Sequence, residues 1–248
     1  RMLTIGWIAG RVSGALLAVV LLMIGLNHDA VLGQAPDCSQ TLQSMIDATP
    51  SDGALSVPGC VFREEVTVPR PMTISGQSGA TIKGSDVWTD WAGSGPWTHG
   101  GLPTLSDPGG ACRSGTDNRC LMPQQVFLDG VPLQQRPDGV APVAGQFSVS
   151  GSVVTIGSQP AGHLVEVSVR QHWLTPLADD VTVEDFTMEH AATKSQDGAI
   201  RTRSGSTGAW VQHSNTTIRN NVLRHAHGAV VSLAGTDVNT SPTNHVVL

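Results

Sequence analysis

Internal repetition in the last third of the chain constrains its fold more than any other feature. Residues 181–191 (VTVEDFTMEHA) align without gaps on residues 216–226 (TTIRNNVLRHA). Residues 197–203 (DGAIRTR) then align on residues 227–233 (HGAVVSL), with five extra residues in the first connection, and a third copy begins at Asn244. Repeats of about 30 residues with short strands predict stacked β-coils, because such strands cannot bury an apolar face singly.

The composition agrees with strands separated by turns. The chain of 248 residues contains 28 Gly and 15 Pro, and its charged residues amount to only 14%, which argues against a coiled coil or a helical bundle. The formal net charge is −6, and Lys83 and Lys194 are its only lysines, so nucleic acid is not an expected partner.

One helix and a series of short strands are predicted before residue 89. Ser39 or Thr41 can cap the helix, whose apolar face consists of Leu42, Met45 and Ile46 at helical spacing. The strands alternate apolar and polar residues between turn residues, and they are ALSV, EEVTV, MTISG and ATIKG.

Residues 1–35 are predicted to be a signal peptide or, alternatively, an uncleaved membrane anchor. The uncharged apolar run from Gly14 to Leu26 has the length of a signal-peptide core and is shorter than the roughly 20 residues that span a bilayer. Small residues in Gly33-Gln34-Ala35 suit a cleavage site; the anchor would use Leu3 to Leu26. Either way, we expect a secreted or cell-surface protein, with membrane contact only through an uncleaved segment.

The four cysteines fit an oxidising compartment. An even number favours two disulfides, and proximity in the sequence suggests Cys38–Cys60 and Cys112–Cys120. Four cysteines allow three pairings, so the choice stays open at this point. A zinc site is the rival interpretation, but the sequence has no CxxC pair to support it.

Three segments are expected after the export signal. Residues 36–98 form a cap and the first coils, residues 99–176 an inserted, loop-rich β-subdomain, and residues 177–248 the remaining coils, which we expect to continue beyond a truncated end. Within the insertion, the segment 126–134 (VFLDGVPLQ) predicts a hairpin with Asp129-Gly130 as its turn. Three further strands are predicted in FSVSGSVVTIGS and HLVEVSVRQHWL.

Residues 41–88 resemble the amino-terminal cap and first coils of pectate-lyase-like right-handed parallel β-helix proteins. The matching residues are Val57-Pro58-Gly59, Phe62, Glu64 or Glu65, Pro71-Met72-Thr73-Ile74, Gly76 and Thr81-Ile82-Lys83-Gly84. The insertion is similar to the β-subdomain of many extracellular carbohydrate-active β-helix proteins. The resemblance implies an all-β protein: a right-handed parallel β-helix (solenoid) with an N-terminal capping helix and an inserted antiparallel β-subdomain.

The resemblance implies activity less strongly than fold, because one fold serves many functions. The expected partner is an extracellular polysaccharide. One hypothesis is a polysaccharide lyase or glycoside hydrolase, and the other is a non-catalytic glycan-binding or adhesion solenoid. A compact cluster of outward charged residues across three coils would favour the enzyme.

Candidate catalytic residues are Asp185, Asp197 and Arg201. A lyase needs a base and a cation or Ca²⁺ to neutralise the uronate carboxylate, so Ca²⁺ is a possible cofactor and the metal ligands are left open. A glycosidase needs two nearby carboxyl groups. Residues 181–248 show no stacked pair of them, because Glu189 aligns with Arg224 and Asp185 with an asparagine.

Candidate substrate-binding residues are Arg203, Arg224, Trp91 and Trp97. Arg201 and Arg203 are two residues apart on one predicted strand, so they would share its outward face and bind uronate carboxylates, or simply be solvated. The two tryptophans form a sugar-stacking platform together with Trp88, or else Trp91 and Trp97 plug the end of the coils.

Equivalent residues of the two copies are expected to stack. His190 and His225 align one coil apart and form either a ladder without chemistry or a pair that binds metal or transfers protons. Asn221 is assigned to the corner of its coil, because asparagine tolerates the left-handed backbone and can hydrogen-bond to the neighbouring coil; Phe186 takes the equivalent place.

Overall fold

The computed structural model of the chain describes residues 36–105, 122–137, 139–194, 197–204, 211–233 and 246–247. These residues are nearly all β, with one helix, α1 (Leu42–Ala48). The predicted export segment and the predicted Cys112–Cys120 disulfide lie outside the described residues. Within the described part, no helix is long and apolar enough to cross a membrane.

The strands are short throughout. The first six, β1 to β6, are Gly53–Val57, Val61–Phe62, Val66–Val68, Met72–Gly76, Thr81–Lys83 and Ser85–Val87. The next seven, β7 to β13, are Trp97–His99, Val126–Leu128, Val131–Pro132, Gln134–Arg136, Gln146–Ser150, Val153–Ile156 and Val165–Ser168. The remaining strands, β14 to β23, are Leu174–Pro176, Val181–Glu184, Thr187–Ala191, Gly198–Arg201, Arg203–Ser204, Val211–Gln212, Thr217–Arg219, Val222–Ala226, Ala229–Ser232 and Val246–Val247.

Three parallel sheets make up the β-helix-like part of the molecule. Their strand orders are β1-β4-β15-β20-β23 in the first sheet, β2-β5-β16-β21 in the second and β3-β14-β17-β22 in the third. The chain visits the sheets in a fixed order, and we call each visit to all three a rung. The rungs are β1-β2-β3, then β4-β5-β14, then β15-β16-β17, then β20-β21-β22.

The inserted β-subdomain interrupts the second rung between β5 and β14. It contains two four-stranded sheets, β6-β13-β8-β9 and β10-β11-β12-β7, whose pairs are antiparallel except for β10 with β11. The change between parallel and subdomain strand pairing does not coincide with the limits of the expected range 99–176. β6 and β7 already belong to the subdomain sheets, and β14 pairs in parallel with β3 and β17. Short strands such as β6 carry no sequence signal that distinguishes these two environments.

Each part has its own apolar core. The inward residues of the three parallel sheets bury a core that includes Ile74, Ile82, Trp173 and Met188, and α1 packs against it through Leu42 and Ile46. The subdomain has a separate core whose fully or nearly fully buried members are Leu102, Val126, Phe147, Val149, Val154, Ile156, Val165 and Val167.

The helix begins where the sequence predicts. Thr41 is the N-cap, and its side chain accepts a hydrogen bond from the Ser44 amide. The carboxylate of Glu64 accepts bonds from the amides of Leu42 and Gln43, at 2.9 and 3.1 Å, so it also satisfies the first turn. The Cys38–Cys60 disulfide joins the segment before the helix to the loop between β1 and β2.

The predicted alignment of the repeats is confirmed in the first two sheets. Thr182 pairs with Thr217, and Met188 pairs with Leu223. The third copy is confirmed as well, since Thr217 pairs with Val246.

The predicted alignment is wrong by one residue in the third sheet. The sequence alignment predicts that Gly198 pairs with Gly228, whereas in the structure it pairs with Ala229. Gly228 instead lies at the turn before the strand, where its amide bonds to Thr193 Oγ1 and a Cβ would meet the Lys194 backbone.

The left-handed corner residue also differs from the expectation. Asn220, not Asn221, has the positive φ of 56°, and Asp185 holds the same conformation one rung earlier at 63°. Asn221 instead bonds to the backbone of the preceding rung: its Oδ1 accepts from the Phe186 amide, and its Nδ2 donates to the Val183 carbonyl. Its role is therefore to join two rungs.

Candidate functional site

A group of polar side chains from three rungs lies at the amino-terminal ends of neighbouring strands in the third sheet. Glu65 directly precedes β3, His172 lies two residues before β14, and Asp197 directly precedes β17. These three strands are neighbours in the third sheet. Their side chains therefore meet at one corner of the β-helix-like part. With Arg201, at the end of β17, we call them the carboxylate–histidine cluster.

Hydrogen bonds connect the cluster into a chain. His172 Nδ1 lies 2.6 Å from Glu65 Oε1, and His172 Nε2 lies 3.1 Å from Asp197 Oδ2. Arg201 is 3.4 Å from the same Asp197 oxygen, and the Gly198 amide donates to the other carboxylate oxygen at 3.0 Å. The imidazole is thus held between two carboxylates.

Burial shifts the pKa values in this cluster in one direction and hydrogen bonding with charge pairing shifts them in the other. The bonds and charges together have the larger effect. The side chains of His172 and Asp197 are 5% and 3% exposed, whereas that of Glu65 is 38% exposed. Burial acts to raise the pKa of both carboxyl groups, but the hydrogen bonds and charge of His172 leave each pKa below its ordinary value. Burial acts to lower the pKa of His172, but bonds to Asp197 and Glu65 raise it. The cluster therefore favours two carboxylates around an imidazolium.

The structure brings together only part of the predicted catalytic set. Asp197 and Arg201 are paired, but Asp185 is exposed at another corner, between β15 and β16. Glu65 and His172 complete the cluster and were not singled out for chemistry. Only the backbone topology places them there, since β3 and β14 are separated in sequence by the whole insertion.

Arg201 and Arg203, predicted to share one strand, lie on two different strands. β17 ends at Arg201, the chain bends at Thr202, and Arg203 begins β18, which pairs antiparallel with β19. The premise that the two arginines share one strand is therefore wrong. Arg201 also differs from a free surface cation, because it neutralises the buried Asp197.

Arg224 belongs to a row of charges on the second sheet. Lys83, Glu189 and Arg224 are register neighbours on β5, β16 and β21. The Glu189 carboxylate lies 2.9 Å from Lys83 Nζ and 2.6 Å from Arg224 Nε. Burial acts to raise the pKa of Glu189, but these two cations hold it below its ordinary value. Arg224 is 56% exposed, so it remains available to a ligand from its outer side.

Glu166 connects the subdomain to this row of charges. Its side chain is 1% exposed and contacts Arg63 at 2.7 Å and Lys83 at 3.0 Å. Glu166 lies on β13 of the subdomain, whereas Arg63 follows β2 and Lys83 ends β5 in the second parallel sheet. These two ion pairs therefore attach the insertion to the rungs. This is a structural role for a buried charge, because each carboxylate oxygen faces a cation.

His190 and His225 are neighbours on adjacent rungs, as the alignment predicts, with ring centroids 5.7 Å apart and ring planes tilted by 55°. Phe127 of the subdomain lies on His190 at 3.6 Å with nearly parallel rings, and His190 Nδ1 is 3.0 Å from Ser85 Oγ. Burial lowers the pKa of His190 to about 4. A neutral ring packed on phenylalanine supports the ladder interpretation. Among the residues that the structure describes, no three His, Cys, Asp or Glu side chains are placed so that they could hold one metal ion.

An aromatic pocket of about 380 Å³ opens on the subdomain. We define it by Trp88, Trp91 and Trp97, and Thr89, Asp90 and residues 160–163 complete its lining. All three tryptophans are half-buried and pack against the subdomain core. The alternative that they plug the end of the coils is therefore wrong, since they do not pack on the core of the parallel sheets.

The aromatic walls are fixed by contacts outside the pocket. The His99 ring lies 4.3 Å from Trp88 and 5.4 Å from Trp91, and Trp91 Nε1 donates to the Trp88 carbonyl at 3.2 Å. Trp97 lies on β7, which pairs with β12. A pocket with rigid aromatic walls and a few polar groups is the usual form of a small-ligand site.

Two polar residues at the pocket were not identified from the sequence. Asp90 is exposed and accepts a bond from Thr89 at 3.0 Å. His163 bonds to Asp129 at 2.6 Å, and this bond lowers the pKa of Asp129. Asp129 begins the turn of the predicted 126–134 hairpin, which is confirmed as β8 and β9. The turn therefore also positions His163.

Comparison with known proteins supports the fold alone. No protein-family model matches the sequence, and neither does any curated protein. A solved structure described as the complex of XylC with xylose is similar, with a TM-score of 0.52 and 20% sequence identity. The similarity covers 73% of this chain and 37% of that chain, so this sequence spans well under half of XylC's length. At this level of identity, the likeness supports a β-helix-like fold.

Proposed function

We propose that this is an exported right-handed parallel β-helix protein that binds an extracellular polysaccharide at the aromatic pocket. The observation that carries the proposal is the placement of Trp88, Trp91 and Trp97 around one cavity beside exposed polar groups. Flat aromatic faces offer a large apolar contact for the C–H face of a sugar ring, while Asp90 and His163 can bond to hydroxyl groups.

Two further observations support a carbohydrate ligand. The structure of XylC, which is similar in fold, is a complex with xylose. The pocket also lies on the inserted subdomain, the part of the chain that resembles subdomains of carbohydrate-active β-helix proteins. The fold alone would leave the ligand class open, so the pocket remains the main support.

Glycan binding tests the proposal. The protein is applied to a set of plant, algal and bacterial glycans, and affinities of the bound ones are measured by calorimetry. We expect Trp91→Ala and Trp97→Ala to weaken binding by about 30-fold or more, because tryptophans in a binding pocket are typical hot spots. Val131→Ala, an exposed change on the same subdomain outside the pocket lining, is the matched control. Binding that both tryptophan variants retain would overturn the assignment.

Cleavage of the polysaccharide is a second candidate function, favoured by the carboxylate–histidine cluster. Its charged groups come from three rungs, and Glu65, whose side chain is 38% exposed, connects the otherwise buried cluster to solvent. In this proposal Asp197 and Arg201 keep their predicted catalytic roles and Glu65 joins them. Glu65, an exposed and ionised carboxylate, suits a base.

Product analysis separates the enzyme from the binding protein. Unsaturated products identify a lyase and new reducing ends a hydrolase, assayed with and without Ca²⁺. Glu65→Gln and Asp197→Asn should abolish cleavage, while Asp185→Asn, at another corner, should not. If no glycan in the set is cleaved under either condition, the enzyme proposal fails and the binding proposal stands.

Export is proposed from the sequence of residues 1–35. Amino-terminal sequencing of protein collected from outside the producing cells tests it, with a mature end after Ala35 expected for signal-peptide cleavage. Protein that stays with the membrane and keeps its full amino terminus would support the anchor instead.

A further inference from the structure

We infer that the aromatic pocket accepts an uncharged sugar and discriminates against uronates. This inference rests on the proposed function and adds the ligand class. It follows from the charges around the pocket, which are opposite to those that a uronate carboxylate needs. A site for uronates presents arginine or lysine, since a guanidinium matches a carboxylate in two hydrogen bonds.

Cationic side chains are missing from the described lining of the pocket. Its residues are Trp88, Thr89, Asp90, Trp91, Trp97, Pro160, Ala161, Gly162 and His163. His163 is the one lining residue that can become positive, and its Nδ1 already bonds to Asp129 at 2.6 Å. The imidazole therefore compensates a carboxylate of the protein and has little charge left for a carboxylate of the ligand.

Two of the described cations that lie next to β6 and β13 in the sequence are also paired. Arg170, just after β13, contacts Asp86 of β6 at 2.7 Å. Lys83, at the end of β5, contacts both Glu166 and Glu189. Redirecting any of these side chains to a ligand would leave a carboxylate of the protein without its partner, which is costly when that carboxylate is buried.

Acidic groups at the pocket act in the same direction. Asp90 lies on the lining, is exposed, and is held in a left-handed conformation (φ 59°) by the turn that joins two of the tryptophans. Its carboxylate repels a second carboxylate and accepts hydrogen bonds from sugar hydroxyls. Asp129, just behind the lining, accepts bonds from Leu164 N and His163, so this pair offers no net positive charge to a ligand carboxylate.

An uncharged ligand has a consequence for the second candidate function. Lyase chemistry removes a proton next to a uronate carboxylate, and the electrons expel the glycosidic oxygen at the neighbouring position. A neutral sugar lacks that activated proton. If this chain cleaves the glycan that its pocket binds, the reaction is therefore hydrolysis, in which water adds across the glycosidic bond.

Matched probes test the ligand class. Calorimetry compares neutral oligosaccharides of xylose, glucose and galactose with oligogalacturonates, the latter in their acid and their methyl-ester forms. We expect at least one neutral probe to bind, and the acid form to bind at least about tenfold more weakly than neutral probes. Methyl esterification removes the charge on the same backbone, so it should recover part of that loss.

Two variants show whether charge is the cause. Thr89→Lys places a cation on an exposed lining position, and we expect it to raise the affinity for the acid form, with Thr89→Gln as the uncharged control. Asp90→Asn, which keeps a residue suited to positive φ, should narrow the gap between acid and ester forms. Thermal unfolding of each variant checks that it folds.

The outcomes distinguish this inference from the proposed function. Wild-type protein that binds the acid form as tightly as neutral sugars would overturn the inference and leave polysaccharide binding intact. Binding of no probe at all would overturn both. Neutral binding with a charge-dependent gap that Thr89→Lys closes supports both.

Discussion

Glu65 and His172 lie 107 residues apart in the sequence, yet a 2.6 Å hydrogen bond joins their side chains. The whole inserted subdomain separates them along the chain. Their contact is possible because β14 resumes the third sheet directly beside β3, as if the insertion were absent. The bond therefore depends on correct pairing of β14 with β3 after the chain returns from the subdomain.

Removal of His172 should destabilise the protein strongly. His172→Gln leaves the buried carboxylate of Asp197 without its main partner, and breaking a buried pair in this way costs about 3–5 kcal/mol. Urea unfolding measures the loss. The second variant, His172→Gln with Asp197→Asn, removes the unpaired charge and should recover part of it, so the two changes are not additive.

The His163–Asp129 pair is the matched control for that experiment. Its distance is also 2.6 Å, but its side chains are 42% and 54% exposed. Solvent screens such a pair, so His163→Gln should cost much less stability than His172→Gln. Equal losses for His172→Gln and His163→Gln would show that the cluster contributes no more than a surface contact.

The cluster also predicts a pH range of greatest stability. The pKa values of Glu65 and Asp197 lie below their ordinary values of 4.5 and 3.8, so their contribution is present above those values and is lost as the pH falls through the folded-state pKa. The pKa of His172 lies above 6.5, so its contribution is complete below 6.5 and is lost as the pH rises through its folded-state pKa.

We therefore expect the cluster to stabilise most between about pH 4.5 and 6.5. Urea unfolding at a series of pH values compares wild type with His172→Gln. The difference in unfolding free energy between them should shrink as the pH rises above 6.5. A difference that stays constant from pH 5 to 9 would mean that His172 does not carry its proton in the folded protein.

His190 predicts the opposite effect on the acid side. Burial lowers its pKa from 6.5 to about 4, so the folded protein keeps the ring neutral where the unfolded chain would protonate it. Stability from this residue is full above pH 6.5 and falls as the pH decreases towards 4, by up to about 3 kcal/mol. His190→Asn suits the positive φ of 66° and should flatten that decline. A decline as steep as that of wild type would count against a neutral His190.

Much of the fold could be predicted from the sequence because short local signals determine it. The Asp129-Gly130 turn, the Thr41 cap and the spacing of the repeats each depend on a few neighbouring residues, and all three are found in the structure. The third-sheet register could not be predicted by identity, since Gly198 and Gly228 are each required by a close backbone contact but stand one position apart in the ladder.

The candidate site was less accessible to prediction for a different reason. Asp197 and Arg201 are each predicted from their residue type, but their spacing of four residues does not by itself identify a cluster. Glu65 and His172 join them only through strand pairing across the insertion. No periodicity connects these distant positions. The histidine in QHWL has no acidic neighbour in the sequence, so its role cannot be inferred before its two carboxylate partners are located in the fold.

The Cys38–Cys60 disulfide should contribute substantially to stability. It closes a loop across a sequence separation of 22, for which the loss of chain entropy in the unfolded state predicts about 3 kcal/mol. Cys38→Ala with Cys60→Ala, compared with wild type by urea unfolding without reductant, measures the contribution. Peptide mapping under the same conditions tests the predicted Cys112–Cys120 pair. Unchanged stability of the double variant would contradict the entropic argument.

Two glutamates on neighbouring sheets allow the charged rows to be compared. Glu189 lies between Lys83 and Arg224, and Glu184 lies between Ser75 and Arg219; both bond to the strands on either side. The side chain of Glu189 is 7% exposed and that of Glu184 is 14% exposed, but Glu189 faces two cations and Glu184 one.

Glu189→Gln should therefore cost more than Glu184→Gln. Loss of the Glu189 charge leaves Lys83, 14% exposed, sharing Glu166 with Arg63, and leaves Arg224 without its carboxylate partner. We expect a loss of about 3 kcal/mol for Glu189→Gln and about 1 kcal/mol for Glu184→Gln in urea unfolding. Raising the salt concentration should reduce the smaller loss further, because the partner Arg219 is 47% exposed and screened. If the two variants lose equal stability, the second cation beside Glu189 adds nothing to the stability of the row of charges.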